Sequence, residues 1–400
     1  MDTKDPIVIV GAARTPIGSF QGIYSHTPAP QLGAAAIKSA LLRASVNPTL
    51  ISEVLMGCVL PGGVGQAPAR QAALAAGIPQ SVGATTLNKV CGSGLKAIQI
   101  AHDLIRAGSA RIMVAGGMEN MTKAPYLLGQ ARSGYRMGHG ELKDHLFLDG
   151  LEDAYETGKL MGVFAERTAE KYQISRKAQD AYALTSLERA LTAEKNKAFL
   201  SPVEITPFTL KLSANQIIEV TADEQPSKVN KDKIPLLKPV FQENGTVTAA
   251  NSSSISDGAA AVILMKLSEA NELGIKPLAK ILGHASYAIE PSWFTIAPVG
   301  AIQALLNKLQ WTTDTPHLYE INEAFAVVTL AILQDLKISP DKVNIHGGAC
   351  ALGHPLGATG ARIVCTLLGA LKARQQSFGI AALCLGGGEA VAIAIENLEN

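Results

Sequence analysis

Strand-like runs that alternate with helical patterns constrain most strongly how this 400-residue chain can fold. Short apolar runs rich in β-branched residues occupy residues 7–10, 112–115, 261–265 and 381–385. Between them, apolar side chains recur at helical spacing, as in residues 95–105. Continuous apolar runs are typical of strands that are covered on both faces. The alternation therefore predicts an α/β fold with helices on both sides of buried strands.

Small residues indicate that these layers pack closely. The chain contains 37 glycines, and only 5% of its residues are aromatic. Glycine allows tight turns and a close approach of neighbouring backbones. Because 47% of the residues are hydrophobic, the chain can bury a large core. Its length suggests about two or three domains.

A weak internal repeat relates the two halves of the chain. In the first half, residues 92–94 (GSG) open an apolar helix that leads to a strand ending in GGMEN. In the second half, residues 357–360 (GATG) open a helix that leads to AALCLGGGEA. The two units suggest a duplicated core, with chance similarity of glycine-rich turns as the alternative. Residues 121 to about 250 are more polar, as expected of an inserted subdomain that either contacts substrate or has no such role.

Charge and cysteine content exclude several classes of function. The net charge is +1 and no basic run reaches five residues, so we expect no nucleic-acid partner. The start of the chain has no basic leader, and no apolar run reaches the length of about 18 to 20 residues that spans a membrane. We therefore expect no membrane partner and a cytoplasmic location. Five cysteines without a CxxC pair indicate neither a disulfide framework nor a metal site.

Cys91 is the strongest candidate for a catalytic residue. It lies where a β-like run ends and a helix begins, in the segment NKVCGSGLKA. The free N–H groups and the dipole at a helix N-terminus favour a thiolate, which is the nucleophilic form of cysteine. A buried, inert cysteine is the structural alternative. The segment from Gly92 to Ala97 also fits the dinucleotide-binding pattern GxGxxA, with Glu119 downstream.

Three further residues supply chemistry that a cysteine nucleophile needs. His354 lies in GHPLGATG before a helix, and imidazole has a suitable pKa for taking a thiol proton. Cys384 ends the strand AALCL, and the three glycines after it have N–H groups that could line an oxyanion site. Asn322 precedes Glu323 at another strand-to-helix junction, where it could cap the helix or position a water or an oxyanion.

Five segments in order together resemble the thiolase family: NKVCGSGLKA, GGMENM, NEAFA, HGGACALGHPLGATGAR and CLGGGEA. The similarity extends from VGAARTPIGSF to the last strand. More narrowly, VCGSG with MENM and HGGACALGHP is most similar to the branch that forms acetoacetyl-CoA, the acetyl-CoA C-acetyltransferases. Longer-chain 3-ketoacyl-CoA thiolases of fatty-acid β-oxidation share every catalytic residue and are the alternative.

The resemblance implies a duplicated five-layer αβαβα core with an inserted loop domain that binds coenzyme A. On this pattern, residues 1–121 with 252–274 form the N-terminal core half, and residues 275–400 form the C-terminal half. Residues 122–251 form the loop domain. The family also implies a homodimer or homotetramer.

The resemblance implies a role for each candidate residue. Cys91 takes up the acyl group after His354 activates it, and Cys384 removes the α-proton of a second acetyl-CoA. The carbanion then attacks the acyl-enzyme to give acetoacetyl-CoA, with thiolytic cleavage as the reverse reaction. Backbone N–H groups of Cys91 and Gly386 hold the acyl oxygen, and His354 with a water held by Asn322 holds the enolate oxygen. The substrates are coenzyme A thioesters and free CoA, and no cofactor is permanently bound.

Contacts to coenzyme A follow from the same resemblance. The pantetheine tunnel is assigned to Leu151, Met161, Phe241, Ser253 and Phe325. Two departures from the family pattern bear on the length of the acyl chain that the substrate carries. The segment that usually reads TAGNASG in the family reads TAANSSS in this chain, and Leu160 replaces a histidine that often precedes Met161. Lys228, Lys231 and Lys233 either contact the nucleotide phosphates or form a solvated patch.

Other classes of protein fit only parts of the pattern. Decarboxylating ketoacyl synthases are expected to have a histidine in place of Cys384. A non-catalytic acyl-CoA or lipid carrier would be free to lose Cys91, His354 or Cys384, yet all three are present. The interpretation as an NAD-dependent dehydrogenase is supported by the glycine pattern alone.

Overall fold

The computed structural model describes residues 5–200, 204–211 and 216–399. The strands are β1 (Ile7–Arg14), β2 (Gly18–Ser19), β3 (Glu53–Gly57), β4 (Gly83–Leu87), β5 (Met113–Asn120), β6 (Tyr126–Leu128), β7 (Leu142–Asp144), β8 (Phe208–Lys211), β9 (Ile217–Val220), β10 (Ser256–Lys266), β11 (Ala279–Ala288), β12 (Leu318–Ile321), β13 (Phe378–Leu385) and β14 (Glu389–Asn397). The helices are α1 (Ala29–Ala44), α2 (Pro68–Ala75), α3 (Ser93–Arg106), α4 (Met161–Lys171), α5 (Arg176–Lys195), α6 (Leu267–Glu272), α7 (Ala297–Leu309), α8 (Ala326–Leu336), α9 (Ala349–Leu352) and α10 (Leu356–Arg374).

Shorter helical segments lie between these elements. A π-helical turn spans Leu146–Leu151. The 3₁₀ helices are Pro48–Leu50, Met121–Lys123, Ala198–Leu200, Pro226–Lys228, Lys231–Leu236, Pro291–Ile296 and Pro340–Lys342.

One strand arrangement occurs twice and confirms the predicted duplication. In the first half, β3, β5, β10 and β1 are neighbours in that order, and in the second half β12, β13, β14 and β11 repeat it. The first pair of each set is parallel, and the two following pairs are antiparallel. β4 extends the first set beyond β3. The sets meet at β1 and β11 through two residue pairs, Val8 with Lys280 and Ile9 with Ala279.

Alternating side chains divide the core into layers. On β1, Val8 and Val10 join a cluster with α1 and α2, whereas Ile7 and Ile9 join a cluster with α3 and α10. On β14, alternate residues within 390–395 likewise face α3 and α10 or α7 and α8. Successive strand residues point to opposite faces, so each sheet is covered on both sides. The result is the predicted five-layer αβαβα core.

The central layer depends on a very close approach of backbones. A Cβ atom added to Gly117 of β5 would lie 1.8 Å from the carbonyl oxygen of Gly357 at the start of α10. A Cβ atom on Gly360 would lie 2.2 Å from the backbone nitrogen of Leu95 in α3. Real Cβ atoms do not approach so closely, so only glycine fits at these two positions.

α10 is the one helix in the described part of the chain that is long and apolar enough to cross a membrane. It has 19 residues and a mean hydropathy of 1.3. However, 89% of this segment is buried inside the protein. α10 is therefore a buried helix of the protein core.

The region between β5 and β10 lies beside the five layers. It contains α4, α5 and the hairpins β6–β7 and β8–β9. A buried ion pair fastens it to the core, since Arg14 of β1 binds Glu204 at 2.9 Å and Asp223 at 2.7 Å. The domain boundaries near residues 121, 251 and 274 stay predictions.

Substituting Gly117→Ala tests the tight central layer. The new methyl group would collide with the backbone of Gly357, so we expect a loss of stability of about 1–3 kcal/mol or more. The measurement is the urea midpoint of unfolding. Gly129→Ala is the control, because no atom lies within 4 Å of its added Cβ. Equal midpoints for both variants would contradict the proposed packing.

Candidate active site

Cys91 lies in a strained turn just before α3. Val90 has φ 47°, which a β-branched residue adopts only where its surroundings enforce it. The Ser93 hydroxyl donates a hydrogen bond to the Val90 carbonyl oxygen (2.6 Å) and accepts one from the Lys89 N–H (2.8 Å). The Asn88 side-chain oxygen accepts a bond from the Val90 N–H (2.8 Å). These bonds hold the half-buried Cys91 at the start of the helix.

The Cys91 thiol is protonated in the resting protein. Burial raises its pKa to about 12, although the backbone N–H groups of Gly386 and of Cys91 itself act to lower it. This outcome differs from the thiolate that the helix N-terminus predicts, because desolvation of the charge outweighs the nearby N–H groups. Cys91 therefore needs a base, and the two N–H groups lie where they could stabilise negative charge beside its sulfur.

His354 is a neutral base with a defined tautomer. Its Nδ1 lies 2.6 Å from the Thr359 hydroxyl oxygen, and that hydroxyl donates to the Pro355 carbonyl oxygen at 2.9 Å. The Thr359 oxygen must then accept a bond from Nδ1–H, which leaves the lone pair on Nε2. Burial, assisted by the charge of Arg362, lowers the His354 pKa to about 3. The imidazole is therefore neutral at pH 7, with an unprotonated Nε2.

Asn322 points toward this histidine and does not cap a helix. The N-cap position of α8 is Phe325, so the capping alternative is wrong. The Asn322 amide nitrogen lies 3.5 Å from His354 Nε2. Its side-chain oxygen is buried and has no hydrogen-bond partner among the described residues. Such an oxygen is costly to leave unpaired, which fits the predicted water.

Glu323, the neighbour of Asn322, has a structural role, because hydrogen bonds from other parts of the chain hold its carboxylate. Its carboxylate accepts bonds from the Tyr182 and Ser186 hydroxyls, at 2.9 and 2.8 Å. It also accepts from the Asn344 amide at 2.8 Å and the Cys350 N–H at 3.0 Å. These partners come from three separate parts of the chain and fix the segment that presents Asn322.

Cys384 lies near the end of β13 with only 1% of its surface exposed. Burial raises the pKa of its thiol well above the ordinary value, and the neighbouring Cys91 adds to this effect. A thiolate formed here would be a strong base, because basicity rises with the pKa of the conjugate acid. Gly387 and Gly388 follow with φ of 87° and 79°, a turn that favours glycine.

A cavity of about 290 Å³ brings most of the predicted site residues together. Its wall includes Cys91, Leu151, Met161, Ser253, Phe325, His354 and Gly386. Phe241 does not line it but packs edge-on against Phe325, with ring centroids 6.0 Å apart. Cys384 and Asn322 also lie outside its wall. A larger cavity, of about 840 Å³, contains none of the predicted catalytic residues.

Several lining residues were missed by sequence analysis. Leu148, Tyr155, Phe294 and Leu356 all contribute to the cavity wall. Leu148 and Tyr155 belong to the irregular insertion, where no periodic pattern reveals which side chains face inward. Leu356 directly follows the GHP segment. That position is the one sequence feature that could have identified it as a residue of the cavity wall.

Glu119 connects the two halves beneath the site. Its buried carboxylate accepts bonds from the N–H groups of Val59, Leu60 and Gly357, at 2.9, 3.1 and 2.8 Å. Burial raises its pKa to about 7, although these bonds act to lower it. In the sequence, Glu119 is a candidate only as the acidic residue downstream of the dinucleotide pattern. The bond to Gly357 fixes the first turn of α10, directly after His354.

The three lysines predicted near the nucleotide lie away from this cavity. Lys228 pairs with Glu224, and Lys231 lies 3.2 Å from Glu188. Lys228 and Lys233 border a separate cavity of about 320 Å³. Phosphate contacts by these lysines stay a prediction.

Comparison with protein families agrees with the geometry. The model of the thiolase N-terminal domain matches residues 7–268, and that of the thiolase C-terminal domain matches residues 275–397. The chain belongs to the thiolase family. As a thiolase it is an acyltransferase, and this membership favours the nucleophile interpretation of Cys91 over the dinucleotide pattern.

Individual relatives resemble this thiolase over nearly their whole length. The acetyl-CoA acetyltransferase of Cupriavidus necator is 47% identical over 391 residues, which cover 98% of this chain and 99% of the relative. The crystal structure of the Bacillus anthracis acetyl-CoA acetyltransferase has a TM-score of 0.95 at 39% identity, over 98% of this chain and 99% of that one. The Acat5 thiolase from Ascaris suum in complex with coenzyme A has a TM-score of 0.92 at 41% identity, over 98% and 100%.

The lowered pKa of His354 predicts how stability depends on pH. An unfolded histidine binds a proton below about pH 6.5, whereas folded His354 does so only near pH 3. The stability that His354 contributes is therefore complete above about pH 6.5. As the pH falls toward 3, it is lost at up to about 1.4 kcal/mol per pH unit.

Unfolding by urea between about pH 6 and about pH 5 measures this effect. We expect a smaller loss of stability in His354→Asn than in the wild type, because asparagine does not titrate. His26→Asn is the control, since His26 is exposed and its removal leaves the buried imidazole in place. A pH dependence unchanged by His354→Asn would show that folded His354 titrates normally.

Proposed function

We propose that this thiolase is an acetyl-CoA C-acetyltransferase, which joins two acetyl-CoA molecules to give acetoacetyl-CoA and CoA and also catalyses the reverse cleavage. The observation that carries the proposal is the shared cavity of Cys91 and His354, with Cys91 close enough to the Cys384 thiol to raise its pKa. The names of the full-length relatives support the same activity. The substrates are coenzyme A thioesters, as in the coenzyme A complex of the Ascaris suum relative.

Acyl transfer to Cys91 is the first half-reaction. His354 Nε2 accepts the thiol proton, and the Cys91 sulfur attacks the carbonyl carbon of acetyl-CoA. Negative charge that develops on the carbonyl oxygen is stabilised by the N–H groups of Cys91 and Gly386. The C–S bond to CoA then breaks, and CoA leaves with the proton of Cys384. The products are acetyl-Cys91, a His354 cation and a Cys384 thiolate.

Condensation is the second half-reaction. The Cys384 thiolate removes the α-proton of a second acetyl-CoA, and the enolate oxygen is stabilised by His354 with a water held by Asn322. The carbanion attacks the thioester carbon, and the bond to the Cys91 sulfur breaks. Cys91 regains its proton from His354. Two cysteines are required, because Cys91 has no free sulfur while it carries the acetyl group.

Acyl-chain length separates this proposal from a broader 3-ketoacyl-CoA thiolase. The cavity of about 290 Å³ has to hold the pantetheine end as well as the acyl group, which favours a short acyl chain. Leu160 and the TAANSSS segment are the departures that could modify this preference. A cytoplasmic location and a dimer or tetramer stay predictions.

Intact-mass spectrometry after mixing with acetyl-CoA tests the division of labour between the two cysteines. Wild type should gain an acetyl group, and Cys384→Ser should gain one more slowly, because CoA has to leave without the Cys384 proton. Cys91→Ser should gain none. Cys384→Ser should form acetoacetyl-CoA at least about a hundredfold more slowly, because it lacks the base. Normal condensation by Cys384→Ser would refute the base assignment. An undiminished adduct on Cys91→Ser would refute the nucleophile, and a carrier protein would show no turnover.

Thiolysis kinetics test the acyl-chain preference. We expect kcat/KM for acetoacetyl-CoA to exceed that for a 3-ketoacyl-CoA two carbons longer by at least about tenfold, because each extra methylene needs space in the cavity. The variant Leu160→His tests whether this departure from the family pattern modifies the acyl-chain preference. Leu42→His, at an exposed leucine, is the matched control. Equal kcat/KM for both substrates in the wild type would favour the broader thiolase.

A further inference from the structure

A cluster of two histidines and one aspartate lies at the junction of the two halves, outside the catalytic cavity. His102 and Asp103 are in α3, and His284 is in β11. Both His102 Nδ1 and His284 Nε2 lie 2.9 Å from the same Asp103 oxygen, Oδ1. The two imidazole rings meet edge to face, with centroids 5.1 Å apart. The mechanism proposed above uses none of these three residues.

The ligand atoms of this cluster are of the kinds that metals bind. Two imidazole nitrogens and one carboxylate oxygen all lie within 4.8 Å of one another. The two imidazole side chains are 7% and 15% exposed, whereas the carboxylate is open to solvent. Metals bind imidazole in its neutral form and carboxyl groups in their ionised form.

We propose that His102, Asp103 and His284 form a binding site for one transition-metal dication, with zinc as the ion that this ligand set fits best. Imidazole nitrogen and carboxylate oxygen are ordinary ligands of zinc, whereas calcium and magnesium prefer oxygen ligands alone. Two histidines with one carboxylate leave one tetrahedral position for a water or another ligand. Cysteine spacing in the sequence predicts no metal site, and His284 is far from His102 in the chain, so only the fold brings these ligands together.

The observed distances are close to those of a coordinated ion but not equal to them. The three ligand atoms all lie within 4.8 Å of one another. Atoms bound to zinc at about 2.0 Å in a tetrahedron are about 3.3 Å apart, so the 2.9 Å spacings need to open by a few tenths of an ångström, and the spacing between the two imidazole nitrogens has to close by up to about 1.5 Å. Each imidazole would move its proton to the opposite ring nitrogen, and binding then releases no proton from either ring. Asp103 is exposed to solvent at 59%, which gives the ion a route in.

Nearby cations set the expected strength of the site. Arg106 acts on His102, and Lys96 and Lys308 act on His284. Their positive charges repel a dication, so we expect weaker binding than in a zinc site without cationic neighbours. Bound metal would join α3 of the first half to β11 of the second. Because α3 begins directly after Cys91, the ion would stiffen the helix that holds the nucleophile.

The experiment titrates the full-length protein, first treated with a chelator, with cobalt chloride and zinc chloride. Cobalt should produce the visible absorption bands of a four-coordinate nitrogen and oxygen site, and zinc should abolish them by displacement. Zinc should also raise the temperature of unfolding, whereas magnesium should not. His284→Ala and Asp103→Asn should each weaken zinc binding by about tenfold or more, as measured by calorimetry. Asp103→Asn keeps the size of the side chain and guards against misfolding.

Two controls separate this site from the catalytic cysteines. His139→Ala removes an exposed histidine and should leave binding unchanged. Cys91→Ser should also keep the cobalt bands, because no thiolate belongs to the proposed site. The proposal is overturned if cobalt instead shows the intense ultraviolet absorption of a thiolate ligand that Cys91→Ser removes. It is equally overturned if Asp103→Asn and His284→Ala bind zinc as the wild type does.

Discussion

Backbone contact between the two central helices is the constraint on which the rest of this structure depends. The nucleophile lies just before α3, and the histidine lies just before α10. The two helices can lie together only because Gly360 of α10 meets the backbone of Leu95 in α3 with no side chain between them. The start of α10 can approach β5 only because Gly117 meets Gly357 in the same way. Wider spacing would separate Cys91 from His354, since both are fixed to the ends of these helices. The repeated fold thus creates the catalytic pair where its two copies touch.

The charge states inside the site follow from the same close packing. Burial keeps both thiols protonated and the imidazole neutral, so the resting site holds no net charge on these three groups. Desolvation opposes any charged form in such a place, unless N–H groups or a neighbouring charge compensate. Charge therefore appears only when substrate arrives and protons move between paired groups. The N–H groups of Cys91 and Gly386 are already in position for that moment.

Much of this molecule could be predicted from sequence because its elements follow simple periods. The apolar run around Val262 correctly predicted strand β10, and the glycine-rich segment after GHP correctly predicted helix α10. The role of His354 as the base stays a prediction. The protonated state of the resting Cys91 thiol could not be predicted, because a helix N-terminus is a local feature and desolvation depends on the whole fold. The same holds for Glu119, whose partners lie about 60 and 240 residues away in the chain. Phe241 shows the limit of resemblance, since it supports the cavity wall without lining it.

The position of β1 in its sheet has a consequence for synthesis on the ribosome. β1 is made well before both of its neighbours, β10 and β11, which come from beyond residue 255. At about 5–20 residues per second, translation leaves this apolar strand without its partners for roughly ten to fifty seconds. During that interval its two unpaired edges are open to other chains. Chaperone capture of the nascent β1 segment would therefore matter more for this protein than for one in which this strand pairs with the next strand in the chain.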